Sequence, residues 1–439
     1  MKLRKHLAHA LQVTTLVMTI AGAITTIGLA SEVDSERMQR LIEQLGDPSR
    51  AARVAAEREL REMGPDVLPA LPAPDEVSSR AVRDAVERLR TVLERQQAEQ
   101  TAEASRVTLT GTHSLREMVK AVSEPTGNRI SVDELSDETL EAKHDVDWQE
   151  ATFWEAVQWI ESHADVVSRL EDAGRALQLS PRSDEQSPAS VTSVGAFRIF
   201  GQSFSCRPDF TNADREVVRV TFHVESEPRL RPLFVRVAHT DYRLLTNDLE
   251  LKPLNVDAKL ERPAASQSET SLTIDFVTDK PCEIESAMLH GKLDVELAAG
   301  EETFVFRNLD TSERVMRRRG SVVVTMDKTS FITNETSGTS SACVDLQVAY
   351  DSSGRAFESH RTWVYHNMAS LRTRDESQHW IPTGFDTLAE AEAAVRLSYR
   401  FANFTSRPEE LEIVYAAPTL VLTVPLEFEL AQFRRKSDL

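Results

Sequence analysis

The sequence predicts a multidomain α+β protein, because the spacing of its apolar residues changes twice along 439 residues. Residues 34–98 have the 3.6-residue period of helices, and residues 106–180 alternate short strand patterns with two helical ones. From residue 192 onward the period is two, as in strands. We therefore expect an N-terminal helical unit, a small βαββαββ module, and one or two mostly antiparallel β-sandwiches.

The first thirty residues have the pattern of a secretory signal peptide. Lys2, Arg4 and Lys5 precede an uncharged stretch, and Gly28-Leu29-Ala30 supplies the small residues of a cleavage site. We expect cleavage after Ala30 and a periplasmic or secreted protein. The alternative is an uncleaved membrane anchor, because residues 13–29 are nearly long enough to cross a bilayer. Only in that case would the membrane be a partner.

The acidic balance of the chain excludes a nucleic-acid partner. Without residues 1–30 there are 48 Lys and Arg against 70 Asp and Glu, a net charge of −22. Such a surface repels nucleic acid and anionic lipid, and the run Arg317–Arg319 is too short to reverse this.

The three cysteines are too few for a disulfide scaffold. Cys206 and Cys282 fall in one predicted domain and are the likelier pair for a bridge in an oxidising compartment, with Cys343 left over. The alternative is three buried thiols, since separation along the chain does not fix the distance between the Cα atoms.

Three helices are predicted in residues 34–98. The first ends at Gly46, and Asp47 and Pro48 are the expected N-cap and first residue of the second. The second ends at Gly64, and the third starts at about Asp75. The apolar residues expected to be buried include Met38, Leu41, Ile42, Leu45, Val54, Ala55, Leu60, Met63, Val82, Ala85, Val86, Leu89, Val92 and Leu93.

The sequence from Gly46 to Leu71, with Gly-Asp-Pro-Ser-Arg-Ala-Ala-Arg and Met-Gly-Pro-Asp-Val-Leu-Pro, resembles a HEAT-type helical repeat. It is a single unit, whereas solenoids need about three repeats to close a core. A long concave binding surface is therefore not implied, and a short helical hairpin packed on its neighbour is the alternative.

Residues 106–180 contain two capping boxes, Ser114 with Glu117 and Thr152 with Glu155, in which side chain and backbone bond reciprocally. Each starts a helix, and the first ends at Gly127. Asp133–Glu138 is expected to be an acidic loop, and residues 172–174 a hairpin turn. The apolar stripes are Leu115, Met118, Val119 and Val122 in the first helix, and Phe153, Ala156, Val157 and Ile160 in the second.

The order of these elements, with Ser114-Leu-Arg-Glu-Met-Val, Thr126-Gly-Asn-Arg-Ile-Ser-Val and Thr152-Phe-Trp-Glu-Ala-Val-Gln-Trp-Ile, resembles the short N-terminal domain of secretins and TonB-dependent receptors. The resemblance covers residues 106–180 and consists of apolar positions. It implies a module that docks other proteins in the periplasm.

Residues 181–191 read as a linker rich in Ser, Pro, Asp and Gln. Two β-sandwich units are expected, at 192–312 and 316–432, with one continuous sandwich as the alternative. Asp386–Glu390 could start a short helix in the second unit. A membrane pore is disfavoured, because the alternate strand faces carry charges such as Arg219 and Asp275 and aromatic residues are only 6% of the chain.

No catalytic, cofactor-binding or metal-binding residue is predicted. The sequence lacks the G-x-S-x-G, H-E-x-x-H, P-loop, G-x-G-x-x-G and C-x-x-C patterns. Asp145 and Asp147 share one face of a strand, on the side opposite Val146. They could bind a cation or act as an acid/base pair, but such residues are more often a solvated face.

Four tryptophans are the candidate interface residues. Trp154 and Trp159 belong to the second helix of the 106–180 module but lie off the centre of its apolar stripe, where they either cover the sheet edge or a neighbouring domain or anchor a partner. Trp363 and Trp380, with Tyr365, are candidate sugar-stacking residues. The leading hypothesis is a non-enzymatic envelope protein that binds other envelope proteins. Glycan or cell-wall binding by the second sandwich is an alternative, and a hydrolase on a sandwich scaffold is a further one.

Overall fold

The computed structural model describes most of the chain after residue 35. The described residues are 36–72, 77–171, 175–182, 190–209, 212, 215–246, 249–264, 270–279, 287–311, 313–319, 322–334, 336, 338–350, 364, 367–391 and 394–431. Contacts divide the chain into two compact units, residues 1–100 and residues 101–439. The predicted signal peptide and Trp363 lie outside the described residues.

The first unit is helical, as predicted. Residues 36–44 form α1, Arg50–Met63 form α2, Pro65–Ala70 form a 3-10 turn, and Arg80–Ala102 form α3. The core of this unit consists of Leu41, Leu45, Ala56, Leu60, Val67, Leu71, Ala85, Val86, Leu89 and Leu93.

Three details of the helical prediction were wrong. The N-cap of α2 is Ser49 rather than Asp47, and Asp47 instead accepts the Ser49 backbone N–H at 2.7 Å. Val54 is 58% exposed, because the buried stripe of α2 passes through Ala56 and Leu60. Residues 77–79 are not helical, so α3 begins later than expected. The predicted stop at Gly64 is confirmed, and its φ of 84° is one that glycine tolerates.

The 106–180 module begins the second unit and has the predicted order of strands and longer helices, with one additional short helix between the second and third strands. Its elements are β1 (Arg106–Ser114), α4 (Leu115–Thr126), β2 (Ile130–Ser131), α5 (Asp137–Glu141), β3 (Lys143–Thr152), α6 (Phe153–His163), β4 (Val166–Glu171) and β5 (Ala176–Pro181). β1 pairs with β3 in one antiparallel sheet, and β2, β5 and β4 form another. In the second sheet β2 runs parallel to β5. α4 packs against β1, while α6 packs against β3 and β4.

Local hydrogen bonds explain why the two module helices start where they do. Both predicted capping boxes are present, and they lower the pKa of Glu117 and of Glu155 because each carboxylate accepts the backbone N–H of its N-cap residue. All eight residues of the predicted apolar stripes are buried. The acidic segment predicted as a loop contains the short helix α5, which Ser136 caps by accepting the Thr139 N–H.

The rest of the second unit is built from strands. One sheet of twelve strands contains β6 (Val191–Val194), β7 (Phe197–Pro208), β8 (Glu216–Ser226), β9 (Pro232–Ala238), β10 (Arg243–Thr246), β11 (Leu249–Pro253), β12 (Lys259–Pro263), β13 (Thr270–Thr278), β14 (Ala287–Arg307), β18 (Met368–Thr373), β19 (His379–Trp380) and β22 (Leu411–Leu430). A five-stranded sheet contains β15 (Val315–Arg319), β16 (Val322–Thr333), β17 (Ser340–Tyr350), β20 (Gly384–Ala391) and β21 (Ala394–Phe404).

Two hydrophobic cores fill this β region, but they do not separate at residues 312–316 as predicted. β14 and β22 pair antiparallel from Leu289 with Leu430 to Arg307 with Glu412. Leu426, Phe428 and Leu430 belong to the first core, whereas Leu411, Ile413 and Tyr415 belong to the second. The two sandwiches therefore share strands. Local periodicity could not show this, because the pairing joins residues more than a hundred positions apart.

The helix expected to start at Asp386 is absent. This segment is the strand β20, which pairs antiparallel with β21. Its Ala, Glu and Leu residues are good helix formers, so the pairing with β21 overrides the local preference.

Cys206 is disulfide-bonded and Cys343 is a free thiol, while Cys282, the third cysteine of the sequence, lies outside the described residues. None of the helices in the described ranges combines the length and apolar character needed to cross a lipid bilayer.

Candidate interaction surface

The 106–180 module is fastened to the β region at two places, and both were missed in the sequence. The first is centred on Arg198 of β7, whose side chain is 7% exposed. Its Nε and Nη2 donate to one oxygen of Glu225 at 2.9 and 2.6 Å. Its Nη1 donates to Ser168 at 3.0 Å and reaches Glu161 at 3.3 Å, both on the module. Burial alone would lower the pKa of Arg198, but Glu225 and Glu161 outweigh it and the pKa is raised.

Trp154 lies beside Arg198 and belongs to this first contact. Its indole is fully buried, and its N–H donates to the Ala196 carbonyl at 3.1 Å. The guanidinium carbon of Arg198 lies 4.3 Å from the indole ring centre, a cation–π geometry. Trp154 is thus an interface residue within the chain, and its ring is not accessible to a partner.

The second contact is centred on Glu227, which is completely buried. Its carboxylate accepts the backbone N–H of Ser105 at 2.9 Å, the Ser105 hydroxyl at 2.7 Å and the Asn128 amide at 2.9 Å. Arg229 donates to the same carboxylate at 2.6 Å, and its backbone N–H donates to the Asn128 side-chain oxygen at 3.0 Å. A buried charge with this many donors holds the module rigidly to the β region, because loss of any one hydrogen bond leaves a buried polar group without a partner. We call these two contacts, at Arg198 and at Glu227, the joints of the module.

The only sequence signal for these joints was polar residues in a strand otherwise rich in Val and Phe. In β8, Arg219 and Thr221 leave one face partly exposed, but from Phe222 to Ser226 every residue is buried. His223 and Glu225 share the strand face of Arg219 and alternate with apolar residues as solvated residues would, yet both are buried. The module covers that end of the face, and no spacing rule within β8 shows it.

The exposed side of the module is the outer face of the β1–β3 sheet. We call this the β1–β3 outer face; it consists of Thr108, Thr110, Thr112, Asp145 and Asp147, all exposed. The register places Thr110 opposite Asp147 and Thr112 opposite Asp145. Val107, Val146 and Trp148 are buried on the inner side. Asp145 and Asp147 thus lie on the solvated face, as their alternation with Val146 predicted.

Trp159 contributes to a second surface feature of the module. It is half-buried, stacks on the His163 ring with centroids 4.0 Å apart, and meets the edge of Trp148 at 5.6 Å. The His163 ring also bonds the Trp159 carbonyl, with its Nδ1 at 2.8 Å. The His163 ring therefore covers one face of the Trp159 ring, and Trp159 packs within the module rather than protruding from it.

Of the residues proposed for sugar stacking, the structure describes only Trp380. Trp380 of β19 is half-buried, with its ring centre 5.7 Å from that of Phe404, and it packs against the second core. Trp363 and Tyr365 lie outside the described residues. Within the described ranges, no group of three or more His, Cys, Asp or Glu side chains is placed to hold a metal ion.

No known protein-family model matches this chain, and no curated protein sequence matches it.

Proposed function

We propose that this protein is a non-enzymatic, exported bacterial envelope protein that presents its α/β module as a docking surface for another envelope protein. The observation that carries the proposal is the way the module is attached to the β region. Buried joints at Arg198 and Glu227 fix one side of it to the β region, while the β1–β3 outer face stays exposed. A surface held in one orientation loses little conformational freedom on binding, which favours recognition.

The charge of the module indicates the chemistry of the partner. Residues 106–180 contain 15 Asp and Glu against seven Lys and Arg, a net charge of −8. Asp145 and Asp147 place two of these carboxylates side by side on one strand. Complementary charge speeds association and selects the partner. We therefore propose a partner with a basic surface.

Two features support export. Residues 1–30 have the signal-peptide pattern described above. The disulfide at Cys206 is typical of proteins in oxidising compartments such as the periplasm, and is rare in the reducing cytosol.

Point substitutions test the docking role better than deletion of the module does. Deletion would expose the buried Arg198, Glu225 and Glu227 and disturb the β region itself. The variant D145K/D147K changes only exposed side chains. Its matched control, E250K/D257K, makes the same change of charge at two exposed residues of the β region.

The assay is recovery of partners from periplasmic extract of the source bacterium, quantified by mass spectrometry, with purified protein lacking residues 1–30 as bait. We expect proteins recovered by the unmodified bait and by the control to fall about tenfold or more with D145K/D147K, since two charge reversals change an interface by more than about 1.4 kcal/mol. Equal recovery by all three baits would remove the docking role from this face.

A further inference from the structure

The five-stranded sheet has two outer strands whose second edge pairs with no described strand. Its order is β15-β16-β17-β21-β20, so β15 pairs only with β16 and β20 only with β21 among the described strands. Such edges present backbone N–H and C=O groups that can pair with another strand. All four pairings in the sheet are antiparallel, and the two outer strands therefore run in the same direction.

The β15 edge is basic and carries an exposed apolar side chain. Arg317, Arg318 and Arg319 are consecutive and exposed, in a chain whose net charge is −19. Met316 beside them is 66% exposed. Arg317 lies over the ring of Phe306 at 5.6 Å, which positions its guanidinium.

The β20 edge is acidic and also carries exposed apolar side chains. Every residue from Phe385 to Ala391 is exposed, although the segment is a regular strand apart from one irregularity between Thr387 and Ala389. Phe385 is 39% exposed and Leu388 is 47% exposed. Its charged residues are Asp386 and Glu390, and Asp386 pairs with Arg400 of the neighbouring strand.

On each face of the five-stranded sheet, β15 carries a basic residue and β20 carries an acidic one. On the core face, Arg317 and Arg319 lie opposite the buried residues Val324 and Val322, and Glu390 lies opposite the buried Val395. On the other face, Arg318 lies opposite Val323, and Asp386 lies opposite Ser398. A β20 strand placed next to β15 in the same orientation therefore brings carboxylates beside guanidinium groups on each face.

We propose that the five-stranded sheet mediates self-assembly, in which β20 of one copy pairs in parallel with β15 of a second copy. A second copy is the occupant because the two complementary edges belong to the same sheet. Charged edge strands normally prevent edge pairing. Here like charges oppose β15–β15 and β20–β20 contacts, while opposite charges favour the mixed pair. A mixed contact of this kind is head-to-tail and leaves one edge of each type free for further copies. The inference does not depend on the partner proposed for the 106–180 module.

The test is analytical ultracentrifugation of the purified full chain without residues 1–30, over a concentration series at about 0.05 M and about 0.5 M salt. We expect the average mass to rise with concentration at low salt and less so at high salt. The variants R317E/R318E/R319E and D386R/E390R should each lose this rise. Their equimolar mixture should regain it, because the acidic β15 edge of one then meets the basic β20 edge of the other. The control R243E/K259E/R262E makes the same change of charge as the arginine variant at exposed residues of other strands and should assemble normally.

A second measurement covers the case in which a charge variant fails to fold, as judged by circular dichroism. Met316→Cys and Leu388→Cys each place a thiol at an exposed edge position. Mixed under mild oxidation, they should form the crosslinked heterodimer faster than either forms a homodimer. The proposal is overturned by a monomeric wild type at every concentration, by assembly unaffected in both charge variants, by no regain in the mixture, or by crosslinking without preference for the heterodimer.

Discussion

Replacing Arg198 with Met should destabilise the second unit strongly, because the guanidinium is a desolvated donor to a buried carboxylate. Arg198 and Glu225 have side chains 7% and 4% exposed. Removing one member of a buried ion pair costs about 3–5 kcal/mol, since the remaining charge keeps its desolvation penalty and loses its partner. The loss of the cation–π contact with Trp154 acts in the same direction. We expect Arg198→Met to lower the free energy of unfolding by about 3–5 kcal/mol.

The double variant separates the pair from the packing around it. The Met side chain is close in volume to that of Arg and to that of Glu. Replacing a buried ion pair with apolar residues of similar size often leaves the free energy of unfolding nearly unchanged. R198M/E225M should therefore cost clearly less than the sum of the two single variants. The matched control is Arg219→Met on the same sheet. Arg219 also bonds a carboxylate with two nitrogens, at 2.7 and 2.8 Å to Asp275, but its side chain is 42% exposed. Its loss should cost about 0–1 kcal/mol.

Urea denaturation followed by tryptophan fluorescence measures these differences, because Trp154 lies against Arg198. Hydrogen exchange localises them, and faster exchange is expected in α6 and in the end of β8. The reasoning is refuted if Arg198→Met costs no more than Arg219→Met, or if the double variant equals the sum of the singles.

Three further expectations are independent of this joint. Gly291→Ala should lower the free energy of unfolding by about 1–3 kcal/mol, because a Cβ there would lie 2.5 Å from the Tyr242 ring and 2.8 Å from the Phe428 ring. An unchanged midpoint of urea denaturation would contradict this expectation. Thiol titration of the denatured protein should find one free thiol before reduction and three after it, whereas three before reduction would exclude the disulfide. Hydrogen bonds from the Thr373 and Ser377 hydroxyls lower the pKa of Asp375 to about 2. The stabilising effect of this carboxylate is therefore complete above its ordinary pKa of 3.8 and is lost as the pH falls toward 2. Ser377→Ala should raise the pKa of Asp375 in an NMR titration, and an unchanged pKa would refute the assignment.

The parts of the fold that the sequence predicted correctly are those decided within one helical turn or one strand. Ser114 and Glu117 bond to each other across three residues, so their pattern alone locates the start of α4. The alternation around Val146 likewise places Asp145 and Asp147 on the solvated face. These interactions are local, and no distant residue changes their outcome.

The larger failures involve pairing with a second segment of the chain, whereas the misplaced N-cap of α2 and the late start of α3 are local errors. Asp386 starts a sequence suited to a helix, yet pairing with β21 makes it a strand. Glu225 alternates with apolar residues as a solvated residue would, yet Arg198 and the module cover it. Composition and spacing report what one segment prefers. They do not show which surface a second segment will cover. The position of the candidate interaction surface depends on which surfaces are covered in this way.

The shared strands β14 and β22 contribute residues to both cores of the β region. β14 carries core residues of both sandwiches, from Leu293 in the first to Phe306 in the second. At the far end of the pair, Glu412 is 1% exposed and is held by Arg307 at 2.8 Å and Arg372 at 2.7 Å. Burial would raise the pKa of Glu412, but these two hydrogen bonds outweigh it and lower the pKa, so the carboxylate stays charged and bound. Because the two cores cannot slide past each other without breaking this ladder, the two proposed binding surfaces are carried by one connected β region rather than by separate domains.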